Sequence, residues 1–219
     1  MHLLSVLPRH LASFLLISSL LAGGWAHAAS DVQATPGLDT EVLDLAKSSI
    51  RATFSRGKPR FTGVFRHFSG DVRFDPSRLG AAHATFTIEV ASIDLGQTAL
   101  NQAARSRDWL DVEQFPDATF VSDAIVSAGG GKYSVLGKLT LRGKTRNVVL
   151  PISYTQTATG SVFEGVLPIR RLQFGVGQGA DAEPLGIADG VIIRFHIVTR
   201  LPPSNTDNSD NAGHESETH

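Results

Sequence analysis

The chain has 219 residues, no cysteine and a formal net charge of −1, which suits one domain of ordinary size once terminal segments are set aside. The near-neutral balance excludes a general electrostatic drive toward nucleic acid or anionic lipid. The missing cysteines exclude a disulfide framework, so the fold must be held by its core.

Residues 1–28 read as an export signal. Arg9 is flanked by His2 and His10, residues 11–22 (LASFLLISSLLA) form an apolar run, and Ala26-His27-Ala28 supplies the small-x-small pattern before a cleavage expected after Ala28. A run of 12 residues is too short to span a bilayer core about 30 Å thick, and no cysteine follows it for a lipid anchor. The expected location is therefore the periplasm. Residues 29–44 read as a leader into the fold, residues 45–201 as the domain, and residues 202–219 as a disordered polar tail. That tail, PPSNTDNSDNAGHESETH, cannot bury enough apolar surface to offset the entropy of ordering.

Within the domain, strand periodicity dominates. Residues 49–55 alternate Ile50, Ala52 and Phe54 against Arg51, Thr53 and Ser55. Residues 61–75 read as one long aromatic strand with possible bends at Gly63 and Gly70. Residues 83–93 set Ala84, Phe86, Ile88 and Val90 against His83, Thr85, Thr87 and Glu89. Residues 100–114 lack alternation and are rich in helix formers, with Phe115-Pro116 closing them, so one or two short helical turns are expected there. Strands follow at 118–126, 133–142, 148–156, 162–169 and 191–200. Residues 132–151 form a hairpin turning at Gly143-Lys144. Residues 174–187 are glycine-rich and read as a loop. Gly175, Gly177 and Gly179 carry neither the spacing nor the βαβ context of a dinucleotide site. Eight strands with hairpin-scale links predict an all-β antiparallel barrel or sandwich.

The search for chemistry is short. His67, His83 and His196 stand singly on strands, away from any metal-ligand spacing. Ser69 has no nucleophile elbow. Asp108 with Asp111, and Asp181 with Glu183, read as solvated pairs. Catalytic, metal and cofactor sites are therefore not expected. Arg142, Lys144 and Arg146 cluster at one turn and Arg170-Arg171 at another, which reads as solvated turn residues rather than a phosphate track. What remains is apolar capacity: 12 phenylalanines, all but Phe14 in the domain. A barrel of about eight strands is either filled by its side chains or wide enough for one elongated ligand. Periodicity does not separate the two.

RHFSGDVRFDP (66–76), TIEVASIDLG (87–96), SRDWLDVEQFPDATFVSDAI (106–125), VLGKLTLRGKTRNVVLPI (135–152) and RRLQFG (170–175) occur in that order. Together these blocks resemble the YceI-like family over roughly residues 45–200. The resemblance implies an extended lipocalin-like barrel with one end covered by short helices. It also implies a long apolar bore that binds an isoprenoid-type lipid, a quinone or a prenyl phosphate. The residues expected to line the bore are Phe54, Phe61, Phe65, Phe68, Phe86, Phe120, Leu139, Leu141 and Phe174, with Trp109 near an end as a lid. Arg142 stands where the family usually has a histidine, and residues 100–104 depart from its Arg-Asp-x-His-Leu run. The expected partners are the lipid, with no nucleic acid, and transient contact with inner-membrane proteins fits an exported carrier; monomer and homodimer both remain open. The competing expectation is a plugged barrel serving a membrane redox or stress-response system as a partner-binding module.

Overall fold

The computed structural model describes residues 41–179 and 186–202. The expected signal segment, most of the leader, residues 180–185 of the glycine-rich stretch and the tail from 203 onward lie outside the described residues. In chain order the strands are β1 (Val42–Leu43), β2 (Ser49–Arg56), β3 (Arg60–Phe65), β4 (Phe68–Arg73), β5 (His83–Glu89) and β6 (Ile93–Asp94). The helix α1 (Thr98–Arg105) follows, then β7 (Asp117–Gly129), β8 (Lys132–Leu141), β9 (Lys144–Thr157), β10 (Gly160–Arg170) and β11 (Ile187–Arg200).

Turn chemistry sets the register of the long hairpins. Between β8 and β9 only Arg142 and Gly143 intervene, with φ of 49° and 68°. Two consecutive positive-φ residues make the tight turn whose twist matches that of the flanking strands. The pairing then runs unbroken from Leu141↔Lys144 to Lys132↔Ser153. Between β7 and β8, Gly129, Gly130 and Gly131 all take positive φ.

All the pairing is antiparallel, in the order β4-β5-β7-β8-β9-β10-β11-β2-β3-β6. The two ends of that order come together through the chain itself, because β3, next to the outer β6, leads through a corner at Arg66 and His67 into β4 at the other end. The Arg66 amide donates to the Ser92 carbonyl, and the Glu89 amide to the His67 carbonyl. On either side of that two-residue break β3 pairs with β2 and β4 with β5, and the sheet curls into a lipocalin-like antiparallel barrel. Asp94 pins this corner. Its carboxylate accepts from Arg66 at 2.8 Å and from the Gly96 amide at 2.9 Å, and these bonds pull its pKa down to about 2.

Several elements differ from the sequence expectation. The strand expected over 61–75 breaks at Arg66-His67 rather than bending at Gly63 or Gly70, because the corner must change partners there. The strand expected over 83–93 ends at Glu89 and turns through a 3₁₀ segment, Val90–Ser92, into β6. The one or two helical turns expected within 100–114 are α1, which starts earlier, at Thr98, and is followed by a series of turns to Phe115. The segment expected as a loop from 174 starts inside a 3₁₀ turn, Arg171–Phe174, and β11 begins at Ile187. Within the expected leader, β1 pairs with β11.

Candidate functional site

Strand alternation decides what faces the inside. On β2, Ile50, Ala52 and Phe54 point inward; on β8 the inward set is odd-numbered, Tyr133 to Leu141; on β11 it runs Val191, Ile193, Phe195 and Ile197. On β7 the register shifts between Ser122 and Ala124. The inward set therefore changes from Ala118 and Phe120 to Ile125, since one extra residue reverses the facing of all that follows.

The inner face lines a cavity of about 240 Å³. Its lining is aliphatic or aromatic except for Arg171. Such a void has no partner for water, stays dry and takes apolar guests. Phe86, Phe195 and Leu139 face inward yet remain only half-buried. Accessible surface on an inward side chain requires empty space in front of it.

What keeps the rings from filling that space is a set of glycines. Gly70 is the cross-strand partner of Phe86, and Gly165 that of Phe195. Gly137 lies diagonal to Phe120. A Cβ on Gly70 would come within 2.5 Å of the Phe86 ring, and one on Gly137 within 2.8 Å of the Phe120 ring; the Phe195 ring occupies the corresponding place over Gly165. Each ring therefore packs over the glycine of the neighbouring strand while still lining the bore. Gly165→Ala is expected to push Phe195 into the bore, costing about 1–3 kcal/mol of stability and lowering affinity for an apolar ligand at least tenfold. Denaturant melts and ligand titration read the two effects separately.

The two ends differ. At one, Phe74, Tyr133, Tyr154 and Phe163 form an aromatic knot with centroids 4.7–6.2 Å apart, mostly edge-on or tilted as ring quadrupoles prefer. Close by, Ser161 and Thr199 donate to the Glu41 carboxylate. At the other end the segments around Trp109 and Gly175 cross the opening. Arg171 fastens them, with its guanidinium 5.2 Å from the Trp109 ring. It donates to the carbonyls of Val176 (2.7 Å), Gly177 (2.8 Å), Ile187 (2.7 Å) and Ala188 (3.0 Å). Burial lowers its pKa, opposed by the charge of Asp189. Arg142 braces the same end from the hairpin, donating to the carbonyls of Arg107 and Gly175 and facing Asp111 at 3.8 Å.

Of the residues expected along the bore, Phe54, Phe65, Phe86, Trp109, Phe120, Leu139 and Leu141 line it. Three do not. Phe61 stacks on Phe54 at 5.7 Å at the rim. Phe68 packs against the core beside its partner Ile88. Phe174 is 1% exposed within the 3₁₀ turn, because the chain turns there instead of entering a loop. The expected set lacks Phe163 and Phe195, which strand alternation places inward, Phe74, whose facing depends on the break at Arg66-His67, and Arg171, which carries no signal in the sequence.

The three described histidines lie outside the bore in carboxylate pairs: His67 with Glu89 (3.1 Å), His83 with Asp71 (3.7 Å) and His196 with Glu164 (3.0 Å). Among the described residues no group of three or more His, Asp or Glu is arranged to hold a metal.

A YceI-like domain model matches residues 42–199. A UPF0312 protein of Azotobacter vinelandii is 29% identical over 177 residues, covering 78% of this chain and 88% of its own length. A UPF0312 protein of Vibrio cholerae is 27% identical over 141 residues, covering 62% and 71%. Among solved structures, BcnA of Burkholderia cenocepacia superposes with a TM-score of 0.69 at 44% identity, covering 71% of this chain and 98% of BcnA. A polyisoprenoid binding domain from Saccharophagus degradans, implicated in plant cell wall breakdown, superposes at 0.61 with 19% identity, covering 75% and 99%, a likeness of fold. The chain belongs to the YceI-like family.

Proposed function

We propose that the protein is a non-enzymatic carrier that takes the tail of an isoprenoid-type lipid, a quinone or prenyl phosphate, into its bore for carriage, storage or sequestration in the periplasm. The observation that carries this reading is the cavity walled by apolar side chains, with the Phe86, Phe120 and Phe195 rings packed over glycines of the neighbouring strands. Burial at about 25 cal/mol per Å² means that a few isoprene units contribute several kcal/mol without any polar contact. The one charged group on the wall, Arg171, already spends its donors on four carbonyls, which leaves no acid, base or nucleophile facing the lumen among the described residues. The export signal expected in residues 1–28 supports the periplasmic placement, and the polyisoprenoid binding described for the Saccharophagus domain supports the lipid class.

The test is mass spectrometry of an organic extract from protein purified out of its own host. A recurrent prenyl lipid near one equivalent is expected. Clean protein would contradict the carrier reading and favour a plugged barrel that serves as a partner surface.

A further inference from the structure

The barrel wall is interrupted between β9 and β10. The two strands pair from Thr157↔Gly160 to Ile152↔Gly165 and no further, although β9 stays paired with β8 to Lys144 and β10 with β11 to Arg170. Continued in the same register, Val166 would face Pro151 and Pro168 would face Val149. Prolines carry no ladder donor, and a pairing edge that meets two of them cannot continue. The strands part, leaving a slot of about 580 Å³.

The slot adjoins the bore. Leu167 and Ile169 line both spaces. Phe174 lines the slot and belongs to the core cluster but not to the bore's wall, the position of a partition between them. The neighbouring outer surface is apolar, with Val149 59% and Val166 41% exposed.

Its polar rim is cationic. Arg146 and Arg170, which lie in separate basic clusters along the chain, both line the slot, with Asp189 as the single carboxylate among the described lining residues. Arg170 meets Asp189 at 3.5 Å with its own side chain 72% exposed. Arg146 donates only to the carbonyls of Thr145 (2.9 Å) and Gln173 (3.0 Å) and has no carboxylate partner among the described residues. Lys144, two residues away on the same face, reaches over Gly175. A guanidinium offering free donors at the lip of an apolar passage suits a phosphate oxygen at the end of an apolar chain.

We propose that the β9–β10 slot is the side entrance to the bore and its head-group site, and that it takes a lipid whose head carries a phosphate. The head rests on Arg146 and Arg170 outside the wall, and the tail passes Leu167 and Ile169 into the bore where Phe174 yields. This rests on the lipid-carrier reading and adds to it the class of head group and its place.

The experiment titrates the delipidated full-length protein with farnesyl phosphate and, in parallel, with farnesol. Replacing both arginines, Arg146→Gln with Arg170→Gln, is expected to weaken farnesyl phosphate at least tenfold and leave farnesol within twofold, so that farnesol reports an intact bore. Arg146→Lys with Arg170→Lys is expected to recover part of the loss. Added salt is expected to weaken only the phosphate lipid. A parallel loss of both lipids, or no loss of either, overturns the slot assignment. So does inorganic phosphate that competes as well as farnesyl phosphate, which would mark a plain anion site. Wild-type protein that binds farnesol alone overturns the slot and leaves the carrier reading standing; wild-type protein that binds neither overturns both.

Discussion

Phe86→Asp is expected to abolish lipid retention and leave the barrel folded. Phe86 sits midway along β5, opposite Gly70 on one side and Phe120 on the other, with its ring on the bore. In a filled core, removing a phenylalanine costs about 3–5 kcal/mol. Here one face of the ring already meets a void, so the loss is smaller, and water entering the bore keeps the new carboxylate hydrated. A lipid tail would have to expel that water and cover the charge. Burying an unpaired carboxylate costs at least several kcal/mol, and every 1.4 kcal/mol is about tenfold in affinity, so a loss of about a thousandfold or more is expected. Unchanged circular dichroism together with a lipid-free extract is the expected result. An unfolded variant would mean that Phe86 is filled core, and a folded variant that still carries lipid would mean that the tail lies elsewhere.

Arg171→Met is expected to cost about 3–5 kcal/mol of stability, the range seen when a buried charged hydrogen-bonding group is removed and its partners are left behind. The residue is only 8% exposed, and four carbonyls on two separate segments converge on its guanidinium. No other side chain in that place offers the same planar fork. Arg171→Lys should therefore recover less than half of the loss, since one ammonium does not reach four carbonyls arranged for five donors. Denaturant unfolding measures the total. Hydrogen exchange at the amides of Val176, Gly177, Ile187 and Ala188, with a red shift of Trp109 fluorescence, localises it to the covered end. Wild-type stability in Arg171→Met would contradict the view that this residue fastens that end.

The sheet was largely legible in the chain because two-residue alternation is dictated by the pleat itself, and β2, β5, β8 and β11 keep it over most of their length. The parts that were not legible depend on partners distant in sequence. Arg66-His67 is a corner because β3 and β4 must serve different neighbours, a requirement invisible within 61–75. The register shift between Ser122 and Ala124 follows from pairing with β8, and it moves the inward set without leaving any glycine or proline as a mark. Phe61, Phe68 and Phe174 were chosen for their rings rather than their positions on the barrel, and they ended at the rim, in the core and in a turn. Phe163 and Phe195 alternate cleanly and were readable by face. Pro151 and Pro168 are plain in the chain, but only the β9–β10 register shows that they meet across one opening. Arg171 has the look of a solvated turn residue in the chain; its carbonyl partners at 176, 177, 187 and 188 come together only in three dimensions.

The most direct trial is a crystal structure of the delipidated protein soaked with a prenyl lipid. Continuous tail density is expected along the bore from the Phe163 end toward Arg171, with the Phe86, Phe120 and Phe195 rings still packed over their glycines. Rings swung inward to fill the lumen, or a tail lying on the outer face of the sheet, would contradict it.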